Sequence, residues 1–174
     1  MIAAITQTLA EILVDGSSQI STEQIDLGHP GASTAPNPKL NLYFYQLCKN
    51  TNKSGAAPDA IAQETKLTTW FDLYFIVTAW DCTVLSEQHL LSESLKLLLR
   101  HSHIPAKFLP SGLQSYRELP LKITANTAMK TAAFWAALGI PLRPALYVTI
   151  TVPFHTEPER GELPISQPQI LLNY

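Results

Sequence analysis

The five histidines are the first residues whose chemistry raises the question of a metal or catalytic site. Only His101 and His103 are close in sequence, and side chains two residues apart share a face only on a strand. These two follow a predicted helix and precede Pro105, with no neighbouring cysteine or carboxylate to complete a set of ligands. We therefore interpret them as polar residues at a helix C-terminus, where imidazoles suit the helix dipole.

Asp72 is the one ionisable residue that interrupts an apolar strand pattern, between Phe71 and Leu73. A catalytic acid is one interpretation, but a carboxylate paired across a sheet or at a subunit contact is the better one. The sequence contains no G-x-S-x-G elbow, glycine-rich phosphate loop or H-E-x-x-H helix. We predict a protein that is not an enzyme, with no catalytic residues, no metal and no cofactor. The alternative is a small soluble enzyme or ligand-binding module that uses Asp72 and a histidine.

Composition narrows the class of protein further. The 174 residues suffice for one domain with a real core, and 46% are hydrophobic while only 15% are charged. So low a fraction of charged residues indicates that part of the protein surface is buried in an assembly. A net charge of −2 without a basic run makes nucleic acid an improbable partner, and no apolar stretch reaches the roughly 18 to 20 residues of a membrane span. Two cysteines form no disulfide framework, which fits assembly in the cytoplasm.

Hydrophobic periodicity predicts an α+β fold, with about three helices packed on a mixed or antiparallel sheet. The two longest strands follow each other with no helix between them, which favours antiparallel pairing. We expect one domain over residues 1–154 and a proline-rich extended arm over residues 155–174. The predicted helices cover residues 2–13, about 86–100 and about 126–138, and the predicted strands cover 40–49, 67–80, 119–124 and 145–154, with a short strand near Ile20 or Ile25.

The long strands place aliphatic side chains on one face and a mixture of aromatic and hydrogen-bonding groups on the other. That mixture is typical of a protein interface. A helix of the protein itself covering this second face remains an equally good interpretation. The candidate partner-binding residues are Tyr43, Tyr45, Trp70, Asp72, Tyr74, Trp80 and Tyr147.

Three motifs in this order resemble the cap, or tail-terminator, family of extracellular contractile injection systems, which are phage-tail-like particles. They are N-L-Y-x-Y at residues 41–45, D-L-Y at residues 72–74, and W-x-x-L at residues 135–138 with Arg-Pro-Ala downstream at 143–145. The sequence departs from the family pattern at Asn50-Thr-Asn-Lys53, where an Arg-Asn pair is common, and at Ser92, where a glycine is common. These differences bear on local contacts rather than on the family.

The resemblance implies a fold like that of phage tail terminators and a structural rather than enzymatic role. It also implies a homo-oligomer, a hexameric ring on the distal end of the inner tube and sheath, which ends polymerisation and anchors the sheath. The inner tube and sheath proteins would then be its partners, within a particle that is released or membrane-associated. A baseplate or adaptor subunit of the same particle is the second possibility.

Overall fold

A six-stranded sheet organises the protein, and its strands run in the order β1-β2-β3-β6-β5-β4. The computed structural model describes residues 1–15, 17, 20–32, 40–52, 67–114, 116, 119–124 and 131–156. In chain order the elements are α1 Ile2–Val14, β1 Ile25–Asp26, β2 Leu40–Lys49, β3 Leu67–Ala79, α2 Val84–Leu99, β4 His103–Ile104, β5 Leu119–Thr124, α3 Thr131–Ala137 and β6 Ala145–Thr156.

The centre of the sheet is antiparallel, as the succession of two long strands predicts. The β2 and β6 strands pair antiparallel with β3 on its two sides, and β5 pairs antiparallel with β6. At the edge, β1 pairs parallel with β2 through Ile25 and Asp26. The sheet is therefore mixed, and the predicted fold class is confirmed.

Helices α1 and α2 lie on one side of this sheet and form the main core with it. The apolar stripe of α1 includes Ile5, Leu9 and Ile12, which are all buried. Leu90 and Leu98 of α2 join the same cluster. The strands contribute alternate residues to it, because successive strand side chains point to opposite faces. These strand residues are Leu40, Leu42, Leu73, Phe75, Val77, Val148, Ile150 and Val152.

The start of α2 differs from the sequence prediction by a few residues. The helix begins at Val84 rather than near Ser86, because the Thr83 side chain accepts a hydrogen bond from the Ser86 backbone N–H at 3.1 Å. A threonine that accepts from the first turn satisfies one of the backbone donors that a helix N-terminus leaves without a partner. Ser86 therefore lies inside the first turn instead of preceding it.

Asn41, the first residue of the N-L-Y motif, ties the edge strand β1 to the sheet. Its side chain is 1% exposed, and its Nδ2 donates to the backbone oxygens of Asp26 at 3.2 Å and Gly28 at 2.9 Å. Because β1 has only two paired residues, these side-chain bonds supply attachment that the short ladder lacks. The short strand expected near Ile20 or Ile25 is thus found at Ile25.

Two other sequence predictions differ from the structure. His103 lies in β4, paired with Pro120, and not at the end of a helix. The last strand, β6, continues to Thr156 and so takes up the first two residues of the predicted arm, while residues 157–174 lie outside the described part. Helix α3 is described from Thr131, and its predicted first residues also lie outside that part. Within the described residues, no helix is long and apolar enough to cross a membrane.

Two leucines of β2 provide a matched test of this packing. Leu42 is fully buried in the main core, whereas Leu47 on the same strand is 42% exposed. We expect Leu42→Ala to lower the free energy of unfolding by about 2–5 kcal/mol, because the shorter side chain leaves a cavity that the surrounding core fills only in part. We expect Leu47→Ala to change it by about 1 kcal/mol or less, because little apolar area leaves the protein interior. Chemical denaturation followed by circular dichroism measures both, and equal losses would contradict this difference in burial.

Candidate partner-binding face

The side of the sheet opposite α1 and α2 carries most of the residues that the sequence analysis selected. We call it the aromatic face and define it by three cross-strand rows of β2, β3 and β6. The first row is Tyr43, Ile76 and Tyr147, the second is Gln46, Tyr74 and Thr149, and the third is Cys48, Asp72 and Thr151. The structure therefore brings Tyr43, Asp72, Tyr74 and Tyr147 together on one surface.

Helix α3 covers the first row of the aromatic face. Trp135 is 2% exposed, and its Nε1 donates to the Tyr147 hydroxyl oxygen at 3.1 Å. The Phe134 ring lies 4.8 Å from the Tyr45 ring in an edge-to-face arrangement. With Ile76 these residues form a second, smaller core. The alternative left open by the sequence, a helix of the protein over this face, thus holds for this row, and Tyr147 is a core residue at 9% exposure.

Tyr43 and Tyr45 lie at the border of this covered region and are only partly buried. The pairing of β2 with β3 shifts register between Phe44 and Gln46, so Tyr45 occupies a β-bulge. A groove of about 220 Å³ opens beside it, between the outer part of β2 and α3. It is lined by Tyr43, Tyr45, Gln46, Phe134, Ala137 and Leu138.

Burial raises the pKa of two phenol groups on this face, those of Tyr45 and Tyr74. It raises the pKa of Tyr45 to about 12, and the neighbouring Tyr147 and Tyr74 add smaller contributions. The pKa of Tyr74 is also raised, first by burial and then by the negative charge of Asp72. Burial disfavours the charged phenolate, so both rings present hydroxyl groups that donate and accept hydrogen bonds.

Asp72 lies in the third row, partly buried, with its carboxylate held by two neighbouring strands. Its Oδ1 accepts from Thr151 Oγ1 at 2.7 Å and from Asn50 Nδ2 at 3.0 Å. The same Asn50 Nδ2 lies 3.1 Å from Oδ2. The interpretation of this residue as a carboxylate paired across the sheet agrees with these bonds. All the donors are neutral.

The two tryptophans selected from the sequence lie at opposite ends of β3 and have different surroundings. The Arg143 guanidinium stacks 3.5 Å from the centre of the Trp80 ring, and it also contacts Glu87 at 2.8 Å and the Ala79 backbone oxygen at 3.1 Å. Trp70 packs against the main core, with its ring edge-on to Tyr116 at 5.8 Å. Neither tryptophan joins the central rows of the aromatic face.

The sequence analysis did not select Phe134, Arg143 or Asn50 as site residues. For Phe134 a signal was present, because two adjacent large aromatic residues in a short predicted helix must find apolar surface to cover. Arg143 belongs to the Arg-Pro-Ala motif at residues 143–145, to which the sequence analysis assigned no role. Asn50 follows a strand directly, and only the fold shows that it meets Asp72. Among the described residues, no group of three or more histidine, cysteine or acidic side chains could hold a metal ion.

A family model described as the Pvc16 N-terminal domain matches residues 4–167 of this sequence. The chain belongs to this family. No curated protein matches the sequence. The family assignment covers the described fold from residue 4 onward, including every element that builds the aromatic face, and it confirms the resemblance seen in the sequence.

Two solved structures share the fold of this Pvc16 N-terminal domain. One is the sheath/tube terminator of the PVC extracellular contractile injection system in its extended state, with a TM-score of 0.65 and 12% identity over 100% of this chain. The other is the tube-terminating cap of the anti-feeding prophage, with a TM-score of 0.57 and 12% identity over 98% of this chain. The chain spans 64% and 60% of the lengths of these two proteins.

Tyr45 gives the Pvc16 N-terminal domain a testable pH dependence. Its folded pKa of about 12 exceeds the usual 10.0, so the unfolded chain releases the phenolic proton first as the pH rises. The stability due to the neutral ring is therefore present below about pH 10 and is lost between about pH 10 and 12. We expect wild type to lose more stability than Tyr45→Phe between about pH 8 and 11, as measured by urea denaturation. Equal losses in the two proteins would contradict the burial of this hydroxyl.

Proposed function

We propose that this protein is the structural cap, or tail terminator, of a contractile injection system. The observation that carries the proposal is the likeness of its full fold to two terminators of such particles, together with its family. In this role the protein forms a hexameric ring on the distal end of the inner tube and sheath. It catalyses no reaction and needs no cofactor, and it assembles in the cytoplasm as part of the particle.

The mechanism is geometric rather than chemical. Rings of tube or sheath subunits stack head to tail, and such heterologous contacts do not close along the axis. The polymer therefore has no intrinsic end, and an added component must provide one. A terminator binds the last ring through one surface and presents a different surface that no further ring recognises.

The aromatic face is our proposed contact surface for this assembly. Beyond α3 it combines partly buried tyrosine rings with the carboxylate of Asp72 and the hydroxyl of Thr149. Aromatic residues with neutral hydroxyl groups are the composition found at the centre of protein interfaces. Tyr43, Tyr45 and Tyr74 are the members of the predicted set best placed for contact, because they retain exposed area on this face.

The outer edge of β2 supplies a proposed anchor for the sheath. Only Leu40 and Asn41 of this strand pair with β1, so within the described residues the edge from Leu42 to Lys49 has no strand beside it. An extended segment from another protein can add to such an edge through backbone hydrogen bonds. The bulge at Tyr45 interrupts the regular ladder and limits the stretch that can pair continuously.

Deletion of the gene tests the terminator role directly. We expect particles with frayed or variable distal ends, or sheaths that contract early, because polymerisation has no stop and the top of the sheath has no anchor. The baseplate end should be normal. Electron micrographs of purified particles decide the question, with the complemented strain as the control. Intact distal ends and normal tail lengths would contradict the proposal, and particles without a baseplate would assign the protein to the opposite end.

A charged residue on the aromatic face should block assembly without unfolding the protein. We expect Tyr43→Glu to join particles at least about tenfold less well, because it places an unpaired charge in a desolvated contact. Ser92→Glu, at an exposed position of α2 in the other layer, is the matched control and should join normally. Co-sedimentation with particles measures incorporation, and circular dichroism checks the fold. Normal incorporation of Tyr43→Glu would contradict the proposal that the aromatic face is part of the interface.

A further inference from the structure

The carboxylate of Asp72 is oriented by neutral groups and keeps accepting capacity. Thr151 and Asn50 together occupy both acceptor positions of Oδ1, while among the described residues only Asn50 contacts Oδ2, at 3.1 Å. A carboxylate oxygen accepts about two hydrogen bonds, so the described residues leave at least one position on Oδ2 open. Because the side chain is only partly buried, a group from outside the domain can reach it.

The domain supplies no counter-ion for this charge within the described residues. The ion pairs found there join Lys96 to Glu93, Lys107 to Asp15, and Arg143 to Glu87. Of the cations that the structure describes, Lys122 is the nearest by register on this face. It lies on β5 opposite Thr149, whereas Asp72 lies on β3 opposite Thr151. Two strand spacings, roughly 10 Å, therefore separate the two backbones laterally.

The surroundings of Asp72 make an uncompensated charge costly once a partner covers the face. Tyr74 is the next residue of β3 on this face, two positions along the strand, and the Tyr45 ring lies 6.1 Å from the Tyr74 ring. Excluding water from this region removes the solvation of the carboxylate. A cation from the partner restores the balance, and the adjacent aromatic rings stabilise the same cation through their faces.

We propose that Asp72 is the anchor point for one cationic side chain, a lysine or an arginine, of the protein that docks on the aromatic face. The inference rests on the proposed function, since it assigns the chemistry of the partner at that same surface. It predicts that the docking ring of the particle displays a basic residue at this contact. It also separates the role of Asp72 from that of the neighbouring tyrosines, which contribute apolar area and neutral hydrogen bonds.

The test compares two neutral replacements of acidic residues in the full-length protein. Asp72→Asn keeps the shape of the side chain and removes its charge, and Glu11→Gln removes one charge from an exposed position of α1 in the other layer. Purified protein is added to particles from the deletion strain, and binding is measured by co-sedimentation. We expect Asp72→Asn to bind at least about tenfold more weakly than wild type, and Glu11→Gln to bind like wild type. Equal losses in both variants would show a general charge effect and overturn the proposal.

The salt dependence of binding gives a second measurement that does not require the Asp72→Asn variant to fold. We expect wild-type binding to weaken several-fold between about 50 and 500 mM NaCl, because salt screens the attraction between partly exposed charges. A folded Asp72→Asn variant should lose most of this dependence. Wild-type binding that is insensitive to salt, or a variant that binds as tightly as wild type, overturns the cationic anchor. Failure of wild type to bind the particles at all would instead count against the terminator role.

Discussion

The pairing of β3 with β6 is the constraint that the rest of the structure depends on. Twelve residue pairs join these strands, from Leu67 with Thr156 to Thr78 with Ala145, and β3 is apolar on both of its faces. A strand with two apolar faces needs cover on both sides of the sheet. Helices α1 and α2 supply one cover over most of the strand. On the other side, the described residues of α3, Thr131–Ala137, cover Ile76 and Tyr147.

The chemistry of the aromatic face changes along β3. Where α3 lies, the face is apolar and closed, with Ile76 and Tyr147 buried under Trp135. Further along β3, the face carries Tyr74 and Asp72 instead. Both residues are partly exposed, so their polar atoms keep some contact with water. The same strand thus changes from core to partly exposed surface within four residues. Within the described part of the chain, the proposed interface is the region of this face beyond the residues that pack against α3.

Arg143 holds the layers in register at the other end of β3. Its guanidinium contacts the Ala79 backbone, the Trp80 ring and the Glu87 carboxylate. Ala79 ends β3, Trp80 follows it directly, and Glu87 lies in the first turn of α2. Both members of the ion pair are mostly buried, at 19% and 23% side-chain exposure, so they are screened less than a surface pair would be. The planar guanidinium suits this site because it stacks and donates at once, which a lysine ammonium cannot do in the same geometry. The Arg-Pro-Ala motif therefore has a structural role in joining α2, β3 and the segment before β6.

The alternation of apolar and polar residues predicted the long strands well, because it depends only on the residues of the strand itself. The bounds of β2 and β5 agree with the prediction at every residue. Features that depend on contacts between distant segments were less accessible. The two residues of β4 form a strand only because Pro120 and Leu119 lie beside them, and the burial of Tyr147 depends on where α3 docks. For Asp72, periodicity predicted a carboxylate on the second face, but not the neutral donors from Asn50 and Thr151 that orient it.

The two sides of the sheet also differ in a way that suits the proposed function. A ring that ends a polymer must present an upper surface unlike the surface that it binds on the last ring. Here one layer is helical while the opposite face carries tyrosines around a carboxylate. A second copy stacked on the first would meet a different surface from the one that the first copy bound, so the contact would not repeat.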